Sequence, residues 1–302
     1  MRGPYTPMAD TQRLRPNARA RAAALREKER KREARRRLLI AVTAVVAVVA
    51  VIGVLVGIRL AGNDKKSAPS ASASSLDPAI AAKVTAVPAA TLDAVGQGGV
   101  KTLPKAVSGS PLVAGSKPKV IYIGADYCPF CAAERWPVVV ALSRFGTWKN
   151  LSATTSAAAP EAYPNTPTFS FHGASYSSPY VAFEGTETNT NKRAGNGYEA
   201  LDKPTAEQQQ VLQKYQPDGT IPFVDFGNRY VTSGASFSPQ VLGGKSMTQI
   251  ATDLSNPTSD VAKGVGGTAN AMTAVICQLT KNQPSAVCSS QAVAALRGKI
   301  GG

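Results

Sequence analysis

The chain has 302 residues, a formal net charge of +15, 4 Cys and a single His. That length accommodates one folded domain of roughly 200 residues beside a compositionally biased leading region. The charge would suit a nucleic-acid partner if it were spread over a folded surface, but it is not: Lys and Arg crowd the positions before Leu38, opposed only by Asp10, Glu27, Glu29 and Glu33, and no aromatic residue is interleaved with the run at Arg13 to Arg37. No nucleic acid is therefore expected as a partner.

Residues 1–37 read as a basic cytoplasmic tail and residues 38–58 as an unbroken apolar or small-residue run. A run of about 21 residues crosses a ~30 Å hydrocarbon layer as a helix. A cleaved secretory signal is the competing reading, but its apolar part usually spans only ~7–15 residues behind a short basic start. Arg35, Arg36 and Arg37 abut one side, whereas the far side thins to Arg59, Lys65 and Lys66. The positive-inside rule then keeps the N-terminus cytoplasmic and exports the rest, giving a single-pass protein whose first partner is the lipid bilayer.

Residues 59–102 are rich in Ala, Ser, Pro and Gly and read as a tether. A short helix is expected near 79–84, and the folded domain, 103–302, is expected to start near Leu103. Residues 119–123 predict a buried strand, followed by a turn over 124–127 and a helix from 128 to about 145 with Trp136, Val139, Val140 and Leu142 inward. Pro137 is expected to kink or split that helix. Strands over 168–172 and 180–184 follow, separated by a Gly- and Ser-rich turn suited to a hairpin or a loop. A polar helix is expected over 205–215, and a tight hairpin over 223–226 and 229–232 turns at Gly227 and Asn228. The tail predicts helices over 246–254, 269–279 and 285–296.

All four cysteines lie beyond the apolar run, on the side expected to be oxidising. Cys128-Pro129-Phe130-Cys131 falls where a buried strand hands over to a helix. A sulfur there faces unsatisfied backbone N–H groups, which favour the thiolate, the form that attacks disulfides. Cys131, one helical turn further on, suits the role of resolving a mixed disulfide. Cys277 and Cys288 end one expected helix and start the next, so they read as a structural disulfide stapling a helical hairpin, with a second redox pair as the alternative. Chain entropy gives such a staple about 2–3 kcal/mol. Zinc through all four cysteines fails on spacing. His172, the only histidine, supports no Ser-His-Asp triad and reads as structural.

The strand, the helix start and the long gap to Ile221-Pro222-Phe223 resemble the thioredoxin superfamily. The resemblance, over roughly 117–244, implies an α/β thioredoxin-like fold with a central mixed sheet flanked by helices; extra C-terminal helices follow it and the single transmembrane helix expected over 38–58 precedes it. The resemblance also implies a cis Pro222 facing the cysteines. Closer still, Tyr122-Ile123-Gly124-Ala125-Asp126-Tyr127-Cys128-Pro129-Phe130-Cys131-Ala132-Ala133-Glu134-Arg135-Trp136 is similar to the membrane-anchored family known as domain of unknown function 929, as are Asn165-Thr166-Pro167-Thr168-Phe169 and Gly173-Ala174-Ser175-Tyr176. The latter likeness implies the fold and little about substrate; the function the thioredoxin resemblance implies is thiol–disulfide exchange on protein cysteines, without a cofactor or metal. Cys128, Cys131 and Pro222 would be catalytic, and Pro129, Phe130, Thr220 and Ile221 would contact substrate. Related anchored domains work with a membrane redox partner, which makes one an expectation here. The rival is a non-catalytic, tethered binding domain. Thioredoxins carry a buried acid where this chain has Tyr122; Asp126 and Glu134 are the candidate replacements.

Overall fold

The computed structural model describes residues 74–300. The basic tail, the 38–58 span and the start of the tether lie outside the described residues. Among the described residues no helix is long and apolar enough to cross a membrane.

In chain order the elements are β1 (Ser74–Ser75), α1 (Pro78–Thr85), α2 (Ala89–Val95), β2 (Lys105–Ala106), β3 (Val113–Ala114), β4 (Lys117–Gly124) and α3 (Pro129–Ser143). Then come β5 (Thr147–Lys149), β6 (Ser152–Thr155), β7 (Pro167–Ser170), β8 (Ser175–Ser177), β9 (Ala182–Glu187), β10 (Asn189–Ala194) and β11 (Gly197–Ala200). The remainder is α4 (Ala206–Tyr215), β12 (Phe223–Phe226), β13 (Tyr230–Ser233), α5 (Met247–Asp253), α6 (Gly267–Leu279), α7 (Ser285–Cys288) and α8 (Gln291–Ile300).

The sheet that carries the site is mixed, with β4 at its centre. β9 runs parallel to β4 on one side, Lys119 opposite Ala182 through Gly124 opposite Glu187. β12 runs antiparallel on the other, Phe223 opposite Ile123 and Phe226 opposite Val120, and β13 then β2 extend that edge. A strand hydrogen-bonded on both sides and covered on both faces must be apolar throughout, as Val120, Ile121, Tyr122 and Ile123 are. Alternation sends Ile121 and Ile123, with Phe223 and Val231, toward Val211 of α4, and Val120 and Tyr122 into the larger core around α3 and α6.

Helix α3 is buried nearly all round, because α6 and β7 as well as the sheet pack on it. Its Trp136 is fully enclosed, donates to the Pro167 carbonyl at 2.9 Å and meets the Phe169 ring edge-on. Burying a side chain of that size is worth roughly 3 kcal/mol. Pro137 lies inside an unbroken helix, so the expected split does not occur. Residues packed on every face hold the chain helical across the missing N–H, and the Thr168 hydroxyl donates at 2.8 Å to the nearby Ala132 carbonyl.

Other boundaries differ from expectation for local reasons. Within the stretch expected as tether, α1 and α2 bury Val84, Leu92 and Val95 against the domain, with Asp77 capping α1. The segments around 168–172 and 180–184 do not pair with each other: β7 joins β6, β9 joins β4, and β8 between them pairs with β5. The last expected helix is two, because the chain turns at Ser289 and Ser290 between α7 and α8. Capping boxes at Thr205 and Ser246 start α4 and α5 where the sequence predicts them. Cys277 and Cys288 are bonded, with Cα atoms 5.6 Å apart, and join the end of α6 to α7.

Candidate active site

The turn after β4 delivers Cys128 to the N-cap of α3. Its backbone is extended (φ −77°, ψ 120°), Pro129 occupies the first helical turn with no N–H to leave unsatisfied, and the Cys128 sulfur accepts the Cys131 N–H at 3.2 Å. The 15-residue α3 therefore presents its N-terminal N–H groups to one sulfur. Both cysteines are free thiols. Their burial is unequal: Cys128 keeps 6 % of its surface and Cys131 none.

That asymmetry is matched chemically. The hydrogen bond between the thiols holds the Cys128 thiol below its ordinary range; burial opposes this, and the Cys131 N–H and the Arg135 charge reinforce it. Burial, followed by the proximity of Cys128, pushes the Cys131 thiol well up. One sulfur is thus favoured to carry charge, and the other to keep its proton.

Pro222 is buried immediately before β12, and its bond to Ile221 is cis. Because β12 is antiparallel to β4 with Phe223 opposite Ile123, Pro222 lies at the end of the sheet from which the cysteine turn departs. Ile221 is half-buried and Thr220 is exposed, its N–H donated to Asp218 at 3.1 Å. Pro129 is buried, whereas Phe130 is 42 % exposed and meets Tyr163 edge-on at 6.0 Å between ring centroids.

A family model described as Domain of unknown function (DUF929) matches residues 104–278, more than half of the chain. The chain belongs to that family. No curated protein and no solved structure matches it. The matched stretch of this DUF929 chain holds Cys128, Cys131, Pro222 and Cys277 and stops short of Cys288.

Both candidate acids are buried and engage other partners. Glu134 faces Ser236, accepting its N–H at 2.8 Å and its hydroxyl at 2.7 Å, and burial pushes its carboxyl up to about 7. It ties α3 to the segment after β13. Asp126 turns toward Arg135, and burial raises its carboxyl against the pull of that charge. His172 pairs with Asp202 at 2.7 Å at the edge of the same cluster.

Sequence reasoning missed the surroundings of the pair. Arg135 is entirely buried and forks onto Glu187 of β9, at 2.7 Å from Nε and 2.5 Å from Nη2. The 157–165 loop and the β10–β11 hairpin border the cysteine turn: the Ala157 N–H donates to the Tyr127 carbonyl and the Asp126 N–H to the Asn189 carbonyl, both at 2.9 Å. Tyr127 stacks on Tyr198 at 4.1 Å, and Glu161 accepts from Tyr198 and Arg193. The one available signal was a pair of charged residues, Glu134 and Arg135, in a helix apolar elsewhere along its buried length, Arg135 lying seven positions after Cys128. Its partner lies 52 residues away, beyond the reach of any local pattern.

Proposed function

We propose that this DUF929 chain is a thioredoxin-like, membrane-anchored thiol–disulfide oxidoreductase that acts on protein cysteines outside the cytoplasm. The observation that carries the reading is Cys128 at the head of a long helix, slightly accessible and with a lowered thiol, above a sealed Cys131 with a raised one. The sheet order β9–β4–β12–β13 supports a thioredoxin-like fold: β9 is parallel to β4, the helix between them carries the cysteines, and a proline precedes the antiparallel partner. Anchoring rests on residues 38–58 and their flanking charges.

In the reducing direction the Cys128 thiolate attacks one sulfur of a substrate disulfide. The Cys128–substrate bond forms, the substrate bond breaks, and the departing thiolate takes a proton from water. Cys131 then gives up its proton and attacks the Cys128 sulfur. The Cys128–Cys131 bond forms, the second substrate thiolate leaves, and two electrons have passed to the substrate. The oxidising direction is the same sequence reversed. Either cycle closes through a second dithiol or disulfide partner, for which a membrane redox protein is the expected class. Pro222, with Ile221 and Thr220, would align an extended substrate backbone, while Pro129 and Phe130 tune and border the pair.

The test is Cys131→Ser in the full chain, with substrate captured through Cys128. A mixed disulfide that thiols release, absent from Cys128→Ser, is the expected result. A wild-type pair that fails to exchange with glutathione at any poise overturns the reading in favour of a non-catalytic binding domain.

A further inference from the structure

Beneath the cysteine pair the fold buries a set of charges that packing alone does not require. Arg135 follows Cys131 by four residues, so it lies about one turn below it on the same face of α3. Its guanidinium is fully enclosed, and its nearest groups come from every element around it. Glu187 of β9 takes the bidentate contact, Asp126 of the cysteine turn stands 3.6 Å from Nη2, and the Tyr122 ring of β4 lies 5.9 Å from the guanidinium carbon. Behind Glu187, which also accepts the Phe171 N–H, Asp202 accepts the Glu187 N–H at 3.4 Å and pairs with His172.

Three buried polar atoms in this cluster have no hydrogen-bond partner: Arg135 Nη1, Asp126 Oδ1 and the Tyr122 hydroxyl. A buried ion pair is retained at a cost unless every atom is satisfied, and replacing it with apolar side chains is often neutral or stabilising. A cation left with a free N–H one helical turn below Cys131 needs a reason beyond stability. Gly124 is a further sign of adaptation, because a Cβ there would collide with the Tyr122 hydroxyl.

We propose that Arg135 is a positioning residue for the exchange chemistry: its buried cation favours the Cys128 thiolate, and Glu187 limits how much of that charge the sulfur feels. The inference rests on the redox reading of the pair but concerns the thiolate, which can be measured without any exchange. In a water-poor site an opposite charge within a few ångströms stabilises an anion far more than at a surface. The nearby carboxyls work against that effect, so neutralising either member of the Arg135–Glu187 pair shifts the thiolate in opposite directions. That opposition separates an electrostatic role from a structural one.

The experiment follows iodoacetamide alkylation of Cys128 by mass mapping, in the full chain with the pair reduced, across pH. Above about pH 7, where Glu187, whose carboxyl burial pushes up to about 7, carries its charge, Arg135→Gln should slow alkylation on the order of tenfold, and Arg135→Lys should restore much of it. Glu187→Gln, which keeps an acceptor for the Phe171 N–H, should speed it severalfold. If both Gln variants leave the profile unchanged, or move it the same way, the inference is overturned. Should Arg135→Gln fail to fold by circular dichroism, Glu187→Gln decides alone, and an unchanged or slower rate overturns the proposal. Glutathione exchange by the wild-type chain is read in parallel. Its absence removes the redox reading, while the alkylation profiles still decide the role of Arg135.

Discussion

Two cysteine pairs sit in one domain, one free and one bonded, and the contrast between their surroundings is what the proposed function turns on. Cys277 and Cys288 are equally buried, with 0 % and 1 % of their surface exposed, and they are bonded across a short turn that closes on itself. Within that turn Lys281 and Asn282 adopt positive φ, and the Asn282 N–H returns to the Cys277 carbonyl at 2.7 Å. Cys128 and Cys131 are unequal in every respect that matters for exchange: exposure, thiol acidity, and a helix terminus that serves only the first sulfur. Equivalent burial locks a bond in place. On the proposed function, unequal burial gives one sulfur an exit and the other a waiting position.

The sharpest way to break the contrast is to remove one pair at a time. Cys128→Ser is expected to abolish glutathione and protein-disulfide exchange while shifting the unfolding midpoint little, since Ser can still accept the Cys131 N–H as an N-cap. Cys277→Ser with Cys288→Ser should do the reverse, costing about 2–3 kcal/mol of stability. For a domain of this size that is a fall of roughly 5–10 °C in Tm by calorimetry. Exchange at Cys128 should persist, because the pairs serve opposite ends of α3. Arg144, the C-cap of α3, reaches Asn270 and Thr273 of α6 and Ser290 beyond α7. The intervening 15 residues make a helix roughly 22 Å long. Loss of exchange in the Cys277/Cys288 variant would link the pairs after all.

A pH series sharpens the same contrast with a smaller effect. In the reduced chain Cys128 should alkylate at pH values below the ordinary thiol range, and Cys131 should resist well above it. The sign for stability follows. An acid whose folded value is lowered contributes fully above the unfolded thiol value of about 8.5 and loses that contribution as pH falls through the lowered one. The raised Cys131 thiol acts oppositely, its cost growing as pH rises past about 8.5. Reduced wild-type chain should therefore lose more stability than Cys128→Ser as pH falls through the Cys128 range, as measured by urea midpoints.

Much of the frame was legible in the sequence, because it obeys local rules. An uninterrupted Val-Ile-Tyr-Ile run is a doubly covered strand, Gly227-Asn228 turns a hairpin, and the capping boxes at Thr205 and Ser246 announce their helices. The cysteine turn was legible for the same reason, since strand, N-cap and Pro129 are contiguous. What stayed hidden depends on distance along the chain. β5 to β8 are short, rich in Ser and Thr, and pair with segments their own pattern does not identify. Ser289 and Ser290 break the last helix where the disulfide holds its first turn against α6. Arg135 was visible beside Glu134 as a charged pair in a mostly apolar helix, but Glu187 could not be assigned to it from spacing. The site's electrostatics are therefore a tertiary property laid over a secondary-structure motif.

The smallest expected effect tests whether the reactive pair also recognises polypeptide, something the staple has no surface to do. Phe130 stands 42 % exposed between the cysteines, whereas most large apolar side chains among the described residues are enclosed. Its ring meets Tyr163, and the Tyr127–Tyr198 stack flanks the same turn, so an incoming chain would meet a rim of aromatic faces around the Cys128 sulfur. Aromatic contacts of this kind are worth about 0.5–1.5 kcal/mol each beyond area, so Phe130→Ser should slow exchange with a protein disulfide such as insulin by roughly three- to tenfold. Glutathione covers too little of the rim to feel the loss, and its rate should stay within about twofold of wild type. The ratio of the two rates is the measurement. A parallel fall in both would place the effect of Phe130 on the sulfur itself, making residue 130 part of the pair's chemistry instead of its recognition surface.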